Sequence, residues 1–508
     1  MLALQIVLAN RCKHFLCQIE PKTQFEITAK PCCNVGATNP STPNEDFAVT
    51  SYLTSSLARV ASKLQSDPEQ TLIFERFLPA EEVREVCKEL GHLFRNRVYT
   101  PVVTAWMFIG QALSKDHSCR DAVHRLNSWR VANGKSKINS NTSAYCEARQ
   151  RLPEEVVREL ALRSGRKCQN QIGNRWSCKG RNGKVIDGTT LTMQDTPENQ
   201  SEYPQPSGQK AGCGFPILRC VLMFCLASGA ALDISSAPYE GKKTGENSLL
   251  RLLLDLILPG DILLGDRYYA SYWNLEHACR NGYDAIFRAH HTRKIDLRRG
   301  TKQGPGDQIV VYQRPDRRPV WMSPDEYSEC DPILLVRHVR FQVAVEGFRA
   351  KWITIATTLL YANQYSVDDL AEIYRRRWEV ELDIRCLKTH MQMDHLRCKT
   401  PGMARKEIYA HLIAYNLIRH LIGMTAIRYG KPPAVFSHMG AIQALTAFAD
   451  QLNVGCVRLG PLEDALLESI SEHSVGDRSP RSHPREIKRR PKHYKLMNKP
   501  RHAARKAA

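Results

Sequence analysis

The amino-acid sequence predicts an α/β layered domain, preceded by a helical region and interrupted by a β-rich insertion. Three observations carry this reading. At Lys184 the apolar period shifts from helical to strand-like: VIDGTTLTM (185–193) is followed by apolar runs at 217–227 and 230–236, with Ser228-Gly229 at hairpin spacing between them. Helical patterns then alternate with short apolar strands in the order βββαβαβ, the pattern of a layered α/β domain. Finally, 292–351 combines β-rich runs at 309–312 and 333–345 with the turn chemistry of GTKQGPGD, and reads as an insertion before the apolar strand WITIATTLL (352–360) resumes.

Taken in order, residues 1–70 carry little periodicity, and ATNPSTPNEDF reads as a flexible linker. A poorly ordered segment is expected there, such as a start codon placed too far upstream would produce. Helices are predicted at 79–94, where Pro79 opens the first turn and Gly91 lies near the end, at 101–113, and at 118–131, where Ala122, Leu126 and Trp129 share a face. After the turn VANGKSKIN, a short helix at 140–151 carries Arg149 and Arg151. Two readings of this pair of helices stand side by side: a helix-turn-helix-like DNA reader and a plain helical bundle. Beyond the three strands, 245–257 is an amphipathic helix, DILLGDRYY (261–269) a buried strand with Asp266 towards its end, 271–280 a helix and 284–289 a strand. Long helices follow at 366–391, 408–427 and 441–453. The predicted units are therefore 1–70, a helical and DNA-binding 71–180, a core in two parts at 181–291 and 352–460 around the insertion 292–351, and a basic tail at 477–508.

Charge narrows the partners. The chain carries a net +20, and from Arg478 onward twelve Lys and Arg face the single Glu486, +11 in 31 residues. Nucleic acid is the leading partner for such an excess, because each phosphate neutralised releases condensed counterions. The apolar run 220–232 is too short to span a bilayer, so no membrane partner is expected. Seventeen cysteines, an odd number scattered through apparent core elements, suit a reducing compartment where they act as small buried hydrophobes. Cys12, Cys17, Cys32 and Cys33 lack the spacing of a zinc ribbon or finger.

The helix at 366–391 holds the most informative stripe. Ser366 caps it with Asp369 three residues on, close to a capping box, and Ile373, Val380, Ile384, Leu387 and Met391 fall in one apolar arc of roughly 60°. Tyr374, Arg377, Glu381 and Lys388 share the neighbouring edge. On spacing alone this edge is a solvated face of spaced charges. Asp187 in the first strand and Asp266 near the end of a later one change that, because three carboxylates from separate elements can converge where hard divalent cations take oxygen ligands. Two such ions stabilise the attacking and leaving oxygens of an in-line phosphoryl displacement.

The pattern Tyr374-x2-Arg377-x3-Glu381-x6-Lys388 resembles the YREK signature of bacterial insertion-sequence DDE transposases of the IS-four family. VIDGTTLTM and LLGDRYYAS look like that family's two Asp strands, with Arg267 directly after the second acid. The similarity spans roughly residues 75–430. It implies a ribonuclease-H-like core and cutting of double-stranded DNA at terminal inverted repeats with two Mg²⁺, Mn²⁺ being able to substitute. The freed 3′-hydroxyls are then joined to target DNA by a homodimer assembled on DNA, in the cytoplasm and nucleoid of a bacterium. Asp187, Asp266 and Glu381 would be catalytic metal ligands, and Tyr374, Arg377 and Lys388 would contact backbone phosphate. Trp378, and less so Trp352, would hold a displaced base or simply pack in the core. Asp195, Asp233 and Asp261 read as surface or turn acids, and Glu379 faces about 200° away from Glu381. The same acids would serve a nuclease that cuts without joining, and the basic regions alone would suit a DNA-binding protein or inactive relic without turnover.

Overall fold

The computed structural model describes residues 77–94, 97–132, 134–290, 293, 295–343, 351–453, 459–475 and 500. The expectations for residues 1–70, for the Cys12, Cys17, Cys32 and Cys33 group and for the basic tail fall outside them. Among the described residues five helices come first: α1 Ala80–Glu89, α2 Pro101–Leu113, α3 Cys119–Ala132, α4 Ser143–Arg151 and α5 Glu154–Ile172. Thr100 caps α2 by accepting from Val103 N at 3.2 Å, and Pro101 supplies the preset first turn. The α3–α4 connection is far longer than a helix-turn-helix turn. Arg149 lies buried against the rings of Phe108 and Tyr145, 4.9 and 5.1 Å from their centroids, where it cannot reach a base.

Among the described residues the strands that follow build one mixed sheet of nine. These are β1 Gly183–Thr192, β2 Ile217–Cys225, β3 Ala231–Pro238, β4 Ile262–Gly265, β5 Asp284–Arg288, β6 Thr301–Gly304, β7 Asp307–Gln313, β8 Ile333–Val343 and β9 Lys351–Thr357, in the order β3-β2-β1-β4-β5-β9-β8-β7-β6. β1 pairs antiparallel with β2 and parallel with β4, and β4 pairs parallel with β5. The segment read as an insertion does not stand apart from the sheet: β6 to β8 extend it through β9, which pairs antiparallel with β5. Short helices lie between strands: α6 Pro197–Glu202, α7 Glu246–Arg251, α8 Tyr272–Arg280 and α9 Pro324–Glu329. After β9 come α10 Val367–Arg376, α11 Glu379–Arg385, a π turn Cys386–His390, α12 Pro401–Tyr429, α13 His438–Asn453 and α14 Leu459–Glu472. The predicted helix at 245–257 is thus only α7 and a 3₁₀ turn Leu254–Leu256.

The inner strands are apolar on both faces, as a sheet covered on both sides requires. Leu218, Cys220, Leu222 and Phe224 of β2 enter one core, and Val221, Met223 and Cys225 enter another. The first core runs without interruption from Phe77 and Trp106 through the sheet to Leu417, so the N-terminal helices share it rather than holding their own. Two devices fix this union. Gly165 lets α5 approach β3 so closely that a Cβ there would meet Ala231 O at 2.5 Å. Asn416 of α12 accepts from Ala231 N and donates to Ala231 O, both at 2.9 Å, and donates to Ser164 Oγ at 2.9 Å. The described cysteines are all free thiols, several of them fully buried. Among the described residues no helix is long and apolar enough to cross a membrane.

Candidate active site

Asp187 sits in the middle of β1, two residues beyond Val185, whose parallel partner is Leu264 of β4. Asp266 stands two residues beyond Leu264, still extended at φ −78° and ψ −173°. Since side chains alternate, both acids follow Val185 and Leu264 onto the face of the first core and stand level on neighbouring strands. Each carboxylate also takes a local backbone donor: Asp187 Oδ1 accepts from Gly188 N at 2.9 Å and Asp266 Oδ1 from Tyr268 N at 2.7 Å.

A further acid that the sequence reading passed over approaches β1 from its opposite, second-core face, close enough for its charge to act on both aspartates. Glu246, in the first turn of α7, lies so close to β1 that a Cβ on Gly188 would be 2.3 Å from its carboxylate, which explains the glycine directly after Asp187. Tyr269 donates its hydroxyl proton to Glu246 Oε2 at 3.4 Å. Burial, opposed by the Gly188 amide and Arg377 but reinforced by Asp266 and Glu246, pushes the Asp187 carboxyl up to about 6. Burial and then Asp266 raise Glu246 in turn. Crowded carboxylates that resist ionisation mark a place built for positive charge.

The expected single helix at 366–391 starts as predicted and then breaks. Ser366 and Asp369 make a complete capping box, Ser366 Oγ accepting from Asp369 N at 3.1 Å and Asp369 Oδ2 from Ser366 N at 2.8 Å. From Arg377 to Glu381 the backbone tightens: Arg377 N, Trp378 N, Val380 N and Glu381 N each donate to the carbonyl three residues back. After α11 it widens into the π turn Cys386–His390. The apolar arc holds nonetheless, with Ile373, Val380, Ile384, Leu387 and Met391 all in the first core.

The polar stripe survives in altered form. Tyr374 is buried, edge-on to Phe341 at 6.4 Å. Arg377 is 6% exposed; its Nη2 donates to Glu381 Oε1 at 3.1 Å, while its Nε has no partner. Lys388 bridges back to β1, donating to Thr189 Oγ1 at 3.1 Å and Thr190 O at 2.9 Å, with Asp394 Oδ1 at 3.1 Å. Its three protons are thus already engaged. Trp378 is 49% exposed with the Arg377 guanidinium 4.6 Å from its ring, and Trp352 is 55% exposed beneath Arg340. Neither Trp is a core residue.

Asp233 departs from its reading as a surface or turn acid: it is buried and ion-paired to Arg158 at 2.6 Å. Asp261 is also buried, on Lys184 at 2.6 Å, but does close a turn, accepting from Leu258 N at 2.8 Å. Asp195 accepts from Gln200 Nε2 at 2.9 Å. Glu379 pairs with Arg376 at 3.3 Å.

Comparison with known proteins decides what this arrangement belongs to. Residues 179–417, from before β1 into α12, match the transposase DDE domain, and residues 68–161 match the insertion element 4 transposase N-terminal family. The chain belongs to the IS4 family of DDE transposases. The transposase InsG for insertion sequence element IS4 of Escherichia coli K12 is 25% identical over 354 residues, 68% of this chain and 75% of that protein. Shorter matches include the putative transposase InsL for element IS186A of E. coli K12, 36% identical over 80 residues, which are 16% of this chain and 22% of that protein. A putative transposase for element IS4SA of Synechocystis is 35% identical over 57 residues, 11% of this chain and 17% of that protein.

The donor set of this transposase suits a hard divalent cation, being carboxylate oxygens with like-charge crowding. Among the described residues, however, no three of these acids bring their oxygens within 4.8 Å of one another. Glu381 is held on Arg377 instead of being turned fully onto the two aspartates.

Proposed function

We propose that this transposase binds the terminal inverted repeats of its element, cleaves the DNA there and joins the 3′-hydroxyl ends to target DNA, working as a homodimer assembled on the two ends in the bacterial nucleoid. The observation that carries the reading is the level pair Asp187 and Asp266 on parallel neighbours β1 and β4, with Glu381 of α11 ion-paired to Arg377, whose charge acts on Asp187. The strand order β3-β2-β1-β4-β5, antiparallel through β1 and parallel beyond it, supports a ribonuclease-H-like core. Asp187, Asp266 and Glu381 would hold two Mg²⁺ or Mn²⁺, and Glu246 adds a neighbouring carboxylate. The ions would supply charge stabilisation for the attacking and leaving oxygens of phosphoryl transfer.

The chain's own residues account for the rest. Movement of Glu381 off Arg377 turns its carboxylate towards Asp187 and frees a guanidinium whose planar fork matches a phosphate. Arg377 already carries an unpartnered Nε, so it gains a hydrogen bond when phosphate arrives. Tyr374 stiffens Arg377 from below. Lys388 reaches a phosphate only by exchanging Asp394, which keeps it positioned at the end of β1 until DNA is present. Exposed Trp378 offers a face on which a base displaced from the duplex can stack.

The test is incubation of purified protein with DNA carrying the element's ends, with Mg²⁺ or with chelator. Joined products that need the metal are expected, and Asp187→Asn, Asp266→Asn and Glu381→Gln should each abolish them while DNA binding persists. Nicks without joining would replace the reading by a nuclease, and band shifts without any cutting by a DNA-binding protein. Retained cleavage in one variant would remove that residue from the site.

A further inference from the structure

Behind the proposed DNA site, the π turn Cys386–His390 faces the start of α13, and three side chains meet there. Cys386, His390 and His438 each offer a ligand atom, and these atoms all lie within 4.8 Å of one another; this is the only such His, Cys or carboxylate trio among the described residues. A tetrahedral zinc ion with bonds of about 2.0–2.3 Å separates its ligand atoms by about 3.3–3.8 Å, so a contraction of roughly 1 Å closes the shell.

An independent observation points to a missing partner. His438 is 5% exposed, yet neither of its ring nitrogens has a hydrogen-bond partner, and His390 Nδ1 is likewise buried and unpartnered. Buried polar atoms are nearly always satisfied, so an imidazole with both nitrogens orphaned needs an explanation. The two imidazoles face each other at 6.4 Å and 25°, and Tyr415 stacks on His438 at 4.9 Å, which fixes that ring in place.

The neighbouring charges leave room for a cation. Arg419, fully enclosed, is balanced by Asp383 at 3.5 Å, and Asp383 also accepts from Tyr415 OH at 2.9 Å, so this carboxylate is engaged elsewhere. Arg385 is the other cation nearby.

We propose that Cys386, His390 and His438 form a zinc site, distinct from the carboxylate site, that clamps the π turn to α13. One thiolate and two imidazoles select Zn²⁺, or Co²⁺ as a probe, over Mg²⁺, Ca²⁺ or Mn²⁺. On binding, the Cys386 S–H bond breaks, its proton goes to solvent, and a metal–sulfur bond forms; water fills the fourth position. The clamp would act on the segment that carries Glu381 and Lys388, since π turns placed within helices often sit at functional positions. It does not depend on the proposed reaction.

The test uses the full chain with Asp187→Asn, Asp266→Asn and Glu381→Gln, so that the carboxylate site takes no metal. Titration with Co²⁺ should give one ion per chain, with a thiolate-to-cobalt absorption band and the visible bands of a tetrahedral ion, all displaced by Zn²⁺. Adding Cys386→Ser should remove the thiolate band, and Cys386→Ser or His438→Gln should each weaken Zn²⁺ binding by at least about tenfold, while melting in EDTA is unchanged. If His438→Gln does not fold, His390→Gln at the half-exposed edge serves in its place. Absence of a thiolate band, or a band of undiminished affinity in Cys386→Ser, would overturn the proposal, as would a melting temperature that Zn²⁺ fails to raise in the parent chain.

Discussion

Asp187→Asn separates function from stability more sharply than any other single change, because the carboxylate is expected to be required for cleavage and costly to the fold. Its folded pKa of about 6 lies above the unfolded value near 3.9, so the native state holds the proton more tightly. The wild-type fold therefore loses stability as pH rises from about 4 through about 6, and the loss is complete above that. Integrating the two pKa values gives a ceiling of about 3 kcal/mol at pH 8 and about half that at pH 5. Partial hydration of the half-buried side chain brings the pH 8 value to about 1–2 kcal/mol. Asparagine keeps the size of the side chain and an oxygen for the Gly188 amide, so it removes the charge with little else. In EDTA, Asp187→Asn should melt about 1–3 °C above wild type at pH 8 with a smaller gain at pH 5, and cut no DNA at either pH. Mg²⁺ should raise the melting temperature of wild type more than that of the variant. A variant no more stable than wild type at pH 8, or a gain equal at both pH values, would refute the crowded-carboxylate reasoning.

Two further outcomes follow from the same structure and sequence. Arg337 is fully buried and meets Asp307 through two contacts of 2.8 and 2.6 Å, while donating to Tyr365 O at 2.8 Å beside the start of α10. Arg337→Met should destabilise by about 3–5 kcal/mol in denaturant unfolding, and Arg337→Met with Asp307→Leu should recover much of it; a loss below about 1 kcal/mol in the single variant would show that the pair does not tie β7 and β8 to the start of α10. Truncation after Gly476 should mainly lower non-specific DNA affinity and flatten its dependence on salt, measured by titration at several salt concentrations, whereas an unchanged slope would remove the tail's role.

Local patterns carried much of the fold. The alternation of VIDGTTLTM gives β1, the capping box at Ser366 gives the start of α10, and Pro101 gives that of α2. What stayed hidden depends on partners distant in sequence. Nothing local marks Glu246 as a neighbour of Asp187; only Gly188, a glycine inside a strand, hinted that something approaches closely. Asp233 and Asp261 read as surface or turn acids because acids near strand ends usually are, and the arginine and lysine that allow their burial come from α5 and β1 respectively. The run at 292–351 was recognised as β-rich, but its continuation of the main sheet depends on the β5–β9 pairing, which no periodicity reveals. Cys386 and His390 stand four residues apart, a spacing too common to notice until His438 arrives from α13.

The break in the predicted catalytic helix links these points. A uniform helix at 366–391 would place Tyr374, Arg377, Glu381 and Lys388 on one continuous edge, four groups equally able to reach solvent. Tightening before Glu381 and widening after it divides that edge into parts with different tasks. Arg377 and Tyr374 sink into the core boundary, Glu381 remains half-exposed above the sheet, and Lys388 turns back to the end of β1. The apolar arc is what permits this, because Val380, Ile384 and Leu387 anchor the segment on both sides of Glu381 while the backbone between them departs from regular geometry. Glu381 is thus carried by a rigid surface while, among the described residues, its side chain is restrained by one ion pair to Arg377; under the proposed reaction a cation and a phosphate would exchange that pair without repacking the core.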